Sequence, residues 1–427
     1  MKHLNALIAT ALRRTRLYTQ KLWVRVVLMG LLAVVATGVS KLLELYVPRE
    51  LGRSIDGAAA DLLLQLIAAA MLSVTIFSIT VMVSVYQSSS SQWTPRVSRL
   101  IMTDKTTQNT MAVFIGAYVY ALIGIILREL DIYGDQSAFV LFWMTVIVLV
   151  VIVVSLIRWV LHLQGFGQLL DTTRQVKRVT RQQLRERPES PCLRAHPLRG
   201  ELPAGTRPLA AWESGFINQV HPELLNTAAQ KHNVRLYMTR NIGEYTFLNG
   251  AIMQVALCGD EPDWDALRAD IKVALVIGDI RNYEQDPQFG LIVMGEIGSK
   301  ALSPGVNDAG TAIDVFTRVG RVLSDYRDET ADTPETLLSG LYVAPLDPAA
   351  LLRDGFGAMS RDGAGTLEVQ QWLQHTLRGL MGHPDKHMSA AARDFATQEL
   401  ARALEVLTFA PDRAALIASA APEIWPK

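Results

Sequence analysis

The strongest constraint on this chain is the crowding of apolar runs into the first 160 of its 427 residues. Four segments qualify as spans: 23–47, 62–86, 111–127 and 138–157. A helix needs about 20 residues to cross the hydrocarbon core. The short third segment reaches that length by taking in residues 108–110 and Arg128, whose long stem can snorkel. Four such runs so close together argue against buried helices of a soluble protein. The first run has a long basic head and no clear small-residue cleavage motif, so it reads as an uncleaved anchor.

Lys and Arg in short flanks set orientation. The N-terminal tail carries Lys2, Arg13, Arg14, Arg16 and Lys21, and the loop after the second span carries Arg96, Arg99 and Lys105. The stretch after the fourth span carries Arg174, Lys177, Arg178, Arg181, Arg185 and Arg187. The alternate loops carry Glu50, Asp56, Glu129, Asp131 and Asp135. Four crossings place the basic flanks on the cytoplasmic side of a bacterial inner membrane, with both termini and the large C-terminal region.

The second span carries a polar stripe. Ser73, Thr80, Ser84 and Gln87, continued by Ser91, recur at helical spacing and share one face. Such a face lines a water path, holds helices together, or bonds back to its own backbone. The span holds no charged residue, so it offers no carrier for a proton relay. Arg96 and Arg99 lie at the mouth of a path and would favour anions there. Trp93 reads as an interfacial anchor, and Pro95 as the end of the helix.

Beyond the spans the texture changes. The expected divisions are a basic N-terminal segment 1–22, a four-helix membrane domain 23–161, and a basic helix with a Pro/Gly linker at 162–208. A β-rich module at 209–260, a helical module at 261–330 and a C-terminal α/β module at 331–427 follow. The basic helix would set its charge against anionic lipid. ESGFINQV, NVRLYMTR and GAIMQVAL read as strands, with a short helix from Pro222 between the first two. Residues 265–278 read as one helix. Asp286 caps a helix that opens on Pro287. SPGVND breaks that helix, and Asn307 or Asp308 caps the next. The set Asp286, Ser303, Asn307 and Asp308 is thus a structural turn or a ligand-holding one.

Catalytic signals are thin. Asp286 and Asp308 serve as caps, and Glu296 and Asp314 have Lys300 and Arg318 four residues on. A two-metal hydrolase needs such carboxylates to converge. His383 and His387 are interrupted by Pro384, which breaks a helical ligand pair. Cys192 and Cys258 read as free thiols. No catalytic residue, metal site or cofactor is assigned. A formal net charge of zero gives no argument for nucleic acid.

Two long stretches carry a family resemblance: SSSSQWTPRVSRLIMTDKTTQNTMAVFIGAYVYAL, and EQDPQFG followed by ALSPGVNDAGTAI. The chain resembles the DUF2254 family of predicted bacterial membrane proteins. Ser88 to Arg96, Gly116, Gln285 to Pro287, Phe289, Gly290, and Ala301 to Asp308 match that pattern. Ala309 stands where members often have proline, and Gly243-Glu244-Tyr245-Thr246 is a looser match to a family turn. The resemblance implies a membrane domain followed by a soluble one, and no activity, because the family is defined without one. Three functional readings follow: an oligomeric channel or transport-like protein with a cytoplasmic regulatory domain, a sensor or scaffold without a path, or an enzyme at the membrane. The expected partners are other copies of the chain, membrane lipids (anionic ones included), and an ion or small solute.

Overall fold

The computed structural model describes residues 57–92, 104–130, 135–165, 169–331 and 337–425, with isolated positions at 24, 27, 28, 31, 35, 96 and 97. The basic segment 1–22, almost all of the first candidate span, Trp93, Pro95 and Arg99 lie outside the described residues. The chain divides into two units, Met1–Asp171 and Thr172–Lys427.

The first unit holds three long helices, α1 (Gly57–Gln92), α2 (Lys105–Glu129) and α3 (Asp135–Gly165). Where the sequence predicts four spans, three helices among the described residues are long and apolar enough to cross a membrane: Ala58–Gln87, Thr106–Glu129 and Leu141–Leu163. Ala60, Leu64, Ile67 and Met71 recur every three or four residues on α1 and meet Phe114, Ala117 and Ala121 of α2. A polar clasp closes each end of the bundle. Arg128 does not snorkel freely but pairs with Asp61 at 2.9 Å. Asp104 caps α2 through the Thr107 amide and meets His162 of α3 at 3.0 Å.

The second unit opens on α4 (Leu169–Glu186), and its strands are β1 (Ala195–Pro197), β2 (Arg207–Ala210), β3 (Gly215–Val220), β4 (Val234–Met238), β5 (Tyr245–Thr246), β6 (Ala251–Leu257), β7 (Leu275–Gly278) and β8 (Leu338–Val343). They form a five-stranded sheet in the order β1-β8-β4-β6-β2 and a three-stranded sheet in the order β5-β3-β7. Helices α5 (Pro222–Lys231) and α6 (Trp264–Ala274) precede β4 and β7. Ile217, Leu225, Leu236, Ile252, Ile271 and Leu341 share one buried core across both sheets and helices.

The remaining helices are α7 (Pro287–Ala301), α8 (Ala309–Leu323), α9 (Pro348–Asp362), α10 (Leu367–Met381), α11 (Lys386–Val406) and α12 (Ala410–Ser419). Helix α7 packs against α8 and α9, and α10 packs against α8 and α11.

Two expectations change here. The helix predicted over 265–278 stops at Ala274, and Leu275–Gly278 becomes a strand paired with β3 through Ile217 and Ile277. Its burial alternates, Leu275 and Ile277 inward and Val276 outward, which is the period of a strand. The Pro/Gly linker is also not a free tether, because it contains β1, which pairs in parallel with β8. Strands from both sides of the helical module therefore complete one sheet, and the predicted soluble modules share a single compact unit.

Candidate functional site

The EQDPQFG motif fastens α7 to the sheet layer. The side chain of Gln285 accepts from the Val220 amide at 2.9 Å and donates to the Val220 carbonyl at 3.2 Å, continuing β3 as a strand would. Asp286 is buried and caps α7, accepting from the Phe289 amide at 3.0 Å. Arg281 binds both of its oxygens, at 2.8 and 3.0 Å. Burial pushes the Asp286 carboxyl upward, and Arg281 with the capping amides offsets only part of that push. Gly243, at φ +86°, lets the backbone pass directly over this pair, where a Cβ would overlap the carboxylate. Gly290 has a different reason. A Cβ there would lie 1.8 Å from the Thr180 hydroxyl of α4, so the motif glycine seats that helix.

The second motif lies at the other end of α7. Ser303 donates to the Lys300 carbonyl at 2.7 Å, and its own carbonyl accepts from the Asn307 amide at 2.8 Å. Asn307 takes φ +49°, a left-handed conformation that asparagine tolerates. Of the two candidate caps, Asp308 caps α8, accepting from the Thr311 amide at 2.9 Å. Its hydrogen bonds with Thr311 hold the Asp308 carboxyl below its ordinary range. The 15 residues of α7 separate Asp286 from this turn by roughly 22 Å. The four residues do not converge on one site; Asp286 caps one end of α7, and Ser303, Asn307 and Asp308 form the turn at the other. Asp314 and Arg318 form the predicted side-chain pair.

A cavity of about 370 Å³ opens beside the Arg281–Asp286 pair, at the ends of β4 and β8. Asp354 of α9 lines it, half-buried. Burial foremost, with Asp286 nearby, pushes the Asp354 carboxyl up to about 6, and Arg281 opposes this. Arg187 also lines the cavity and is neutralised by Glu329 at 2.7 Å. Glu329 further accepts from the Cys192 and Leu346 amides, each at 2.7 Å, and so ties three segments together. Both arginines are thus matched, while Asp354 titrates near neutrality. Among the described residues the walls hold no serine, cysteine or histidine; their ionisable groups are carboxylates and arginines. No group of described residues is arranged to hold a metal ion.

Sequence reasoning missed Arg281, Glu329 and Asp354. Glu329 sits in the acidic run DYRDETADTPET, and its partners Arg187 and Cys192 lie about 140 positions away. Arg281 is only five residues from Asp286, and that spacing across a turn was the available signal.

In the membrane unit, Ser73, Thr80, Ser84 and Gln87 are all exposed. Ser73 and Thr80 donate to the carbonyls of Ala69 and Ile76, at 3.2 and 3.0 Å. At 100° per residue the stripe points about 160° away from the face formed by Leu64, Ile67 and Met71. Thr75 and Ser78 of α1 do face the bundle, and both are buried. Arg96 is exposed.

The geometry defines a multi-pass membrane protein with a helical region fused to a mixed α/β domain. The chain belongs to the family of predicted membrane proteins DUF2254, whose pattern matches residues 19–379. It is similar to Uncharacterized protein Rv1290c of Mycobacterium tuberculosis and Uncharacterized protein Mb1321c of Mycobacterium bovis. Each is 28% identical over 259 residues, covering 58% of this chain and 48% of the relative. The chain thus spans about half the length of these relatives. No solved structure matches it.

Proposed function

We propose that the protein is an oligomer of the bacterial inner membrane, with both termini cytoplasmic, in which the α1 stripe lines a path for an ion or small solute between copies. The α/β unit is then a cytoplasmic regulatory domain. The observation that carries this reading is the direction of the stripe. Ser73, Thr80, Ser84 and Gln87 are exposed on the face opposite the packed one. Neutral hydroxyls hydrate a path without the cost of charge in lipid. The same face carries Leu62, Leu66 and Ala69 in its other half, a hydrophobic section of the kind that gates by dewetting.

Single cysteines test this. Those at 73, 80 and 84 are expected to react with a membrane-impermeant thiol reagent. Those at 72 and 79, exposed but off the stripe, should stay protected by lipid. Equal reaction at all five positions would remove the path.

The scaffold reading has its own support in the half-length of the stripe and in the back-bonded hydroxyls of Ser73 and Thr80. On that reading the stripe is contact surface between copies, and bulky residues at 80 and 84 disperse the oligomer. On the path reading they reduce flux and leave the oligomer intact.

A further inference from the structure

The basic sequence of α4 by itself reports topology. The fold adds a second row of cations, from α8, beside it. The Lys177 ammonium lies within electrostatic reach of Arg321, Arg181 and Arg318, and of one carboxylate, Asp314, which opposes them. Their matching is incomplete. Arg318 pairs with Asp314, while Arg181 and Arg185 share the single carboxylate of Asp325. The side chains of Lys177, Arg178 and Arg321 make no hydrogen bond or ion pair with the described residues. Like charges gathered this way repel one another, and an anion bound among them relieves that repulsion.

We propose that Lys177, Arg178 and Arg321, framed by Arg181 and Arg318, bind the phosphate of an anionic membrane-lipid headgroup. Charge complementarity selects the anion. Chain continuity selects the lipid, because Lys177 follows Leu163, the last residue of a membrane-length span, by only 14 positions. Burial, and then the neighbouring arginines, lower the pKa of Lys177, as expected of a cation awaiting a counter-charge.

The test titrates phosphatidylglycerol into the full chain, held in neutral detergent at low ionic strength, and follows the melting temperature. Phosphatidylcholine and inorganic phosphate at equal concentrations form the other arms. Wild type is expected to be stabilised by phosphatidylglycerol alone. Lys177→Gln with Arg321→Gln should raise the half-maximal lipid concentration about 30-fold, the loss of two cations at juxtamembrane strength. Lys177→Arg with Arg321→Lys should stay within about twofold of wild type, since charge and not shape is read.

Removing repelled cations should leave the lipid-free melt at or above that of wild type. A lower lipid-free melt would mean that the protein already matches these cations, and would overturn the proposal. An equal lipid response from wild type and the glutamine variant would overturn it too. Equal stabilisation by inorganic phosphate would make the ligand a soluble anion and defeat the lipid assignment. Equal stabilisation by phosphatidylcholine would remove the charge argument.

Discussion

Arg281 grips both carboxylate oxygens of Asp286, at 2.8 and 3.0 Å, while the same carboxylate caps α7. The pair is nearly dry, with the arginine side chain 16% exposed and the aspartate 3%. Breaking such a pair costs more than the pair contributes, because one charge is left buried. Asp286→Asn keeps a capping oxygen and should lower stability by about 2–4 kcal/mol. Asp286→Ala should lose roughly a further 1 kcal/mol with the cap. Arg281→Met combined with Asp286→Asn should cost clearly less than the sum of the single changes. Thermal melts of wild type, Arg281→Met, both Asp286 variants and the double variant check this, and additive losses would mean that the two side chains act independently.

Asn307 and Asp308 are neighbours with different tasks, so their substitutions should behave differently. Asp308→Ala removes a cap and should cost about 1 kcal/mol. Asn307→Ala places a Cβ without a compensating polar group in left-handed backbone and should cost about 1 kcal/mol, whereas Asn307→Gly should be nearly neutral. The pH profiles should differ as well. The Asp308 carboxyl is held below its ordinary range, so its contribution is present above pH about 4 and is lost as the pH falls through its lower folded value. An Asp308→Ala defect that persists unchanged at pH 2–3 would argue against the cap.

How far the sequence reached follows from the range of the forces involved. Asp286 capping a helix at Pro287 is local chemistry and was legible, as were the three strands at 215–220, 234–238 and 251–257. The Asp308 cap was legible only as one of two choices, because both residue types cap and the backbone decides between them. The 275–278 strand was not legible. Leu-Val-Ile after an amphipathic helix extends the helical pattern equally well, and only pairing with β3 settles it. The stripe on α1 was legible as a stripe, but its direction was not, since that depends on which face α2 covers. The cavity beside Asp286 was invisible, because Asp354, Arg187 and Glu329 arrive from distant segments.

Asp354 should make stability depend on pH in the opposite sense to Asp308. Its folded value, about 6, lies above its unfolded one, so the folded chain holds a proton that the unfolded chain releases. The associated stability is complete below pH about 4 and is lost as the pH rises through about 6. Asp354→Asn keeps the shape and cannot ionise. It should match wild type at pH 4 and exceed it by about 1–2 kcal/mol at pH 8, after allowing for partial exposure. Melting temperatures across that range check the crossover. A constant difference would show that the carboxyl does not titrate in the cavity.

The two cysteines should differ in reactivity by far more than burial alone suggests. Cys258 is exposed, and Cys192 is buried with its amide bound by Glu329. Burial foremost, with Glu329 beside it, pushes the Cys192 thiol up to about 12. The thiolate is the reactive form, and at pH 8 a thiol near 12 supplies about a thousandfold less of it than an ordinary one. A thiol reagent should therefore label one site per native chain, at Cys258, and a second only after unfolding. Glu329→Gln should lower the Cys192 pKa and speed its labelling, since the raising charge is gone while a hydrogen-bond acceptor remains. Two fast sites in the native chain would contradict the buried Glu329 contact. The same contrast makes Cys258→Ser a sufficient background for the single-cysteine tests on α1, because the remaining native thiol stays silent.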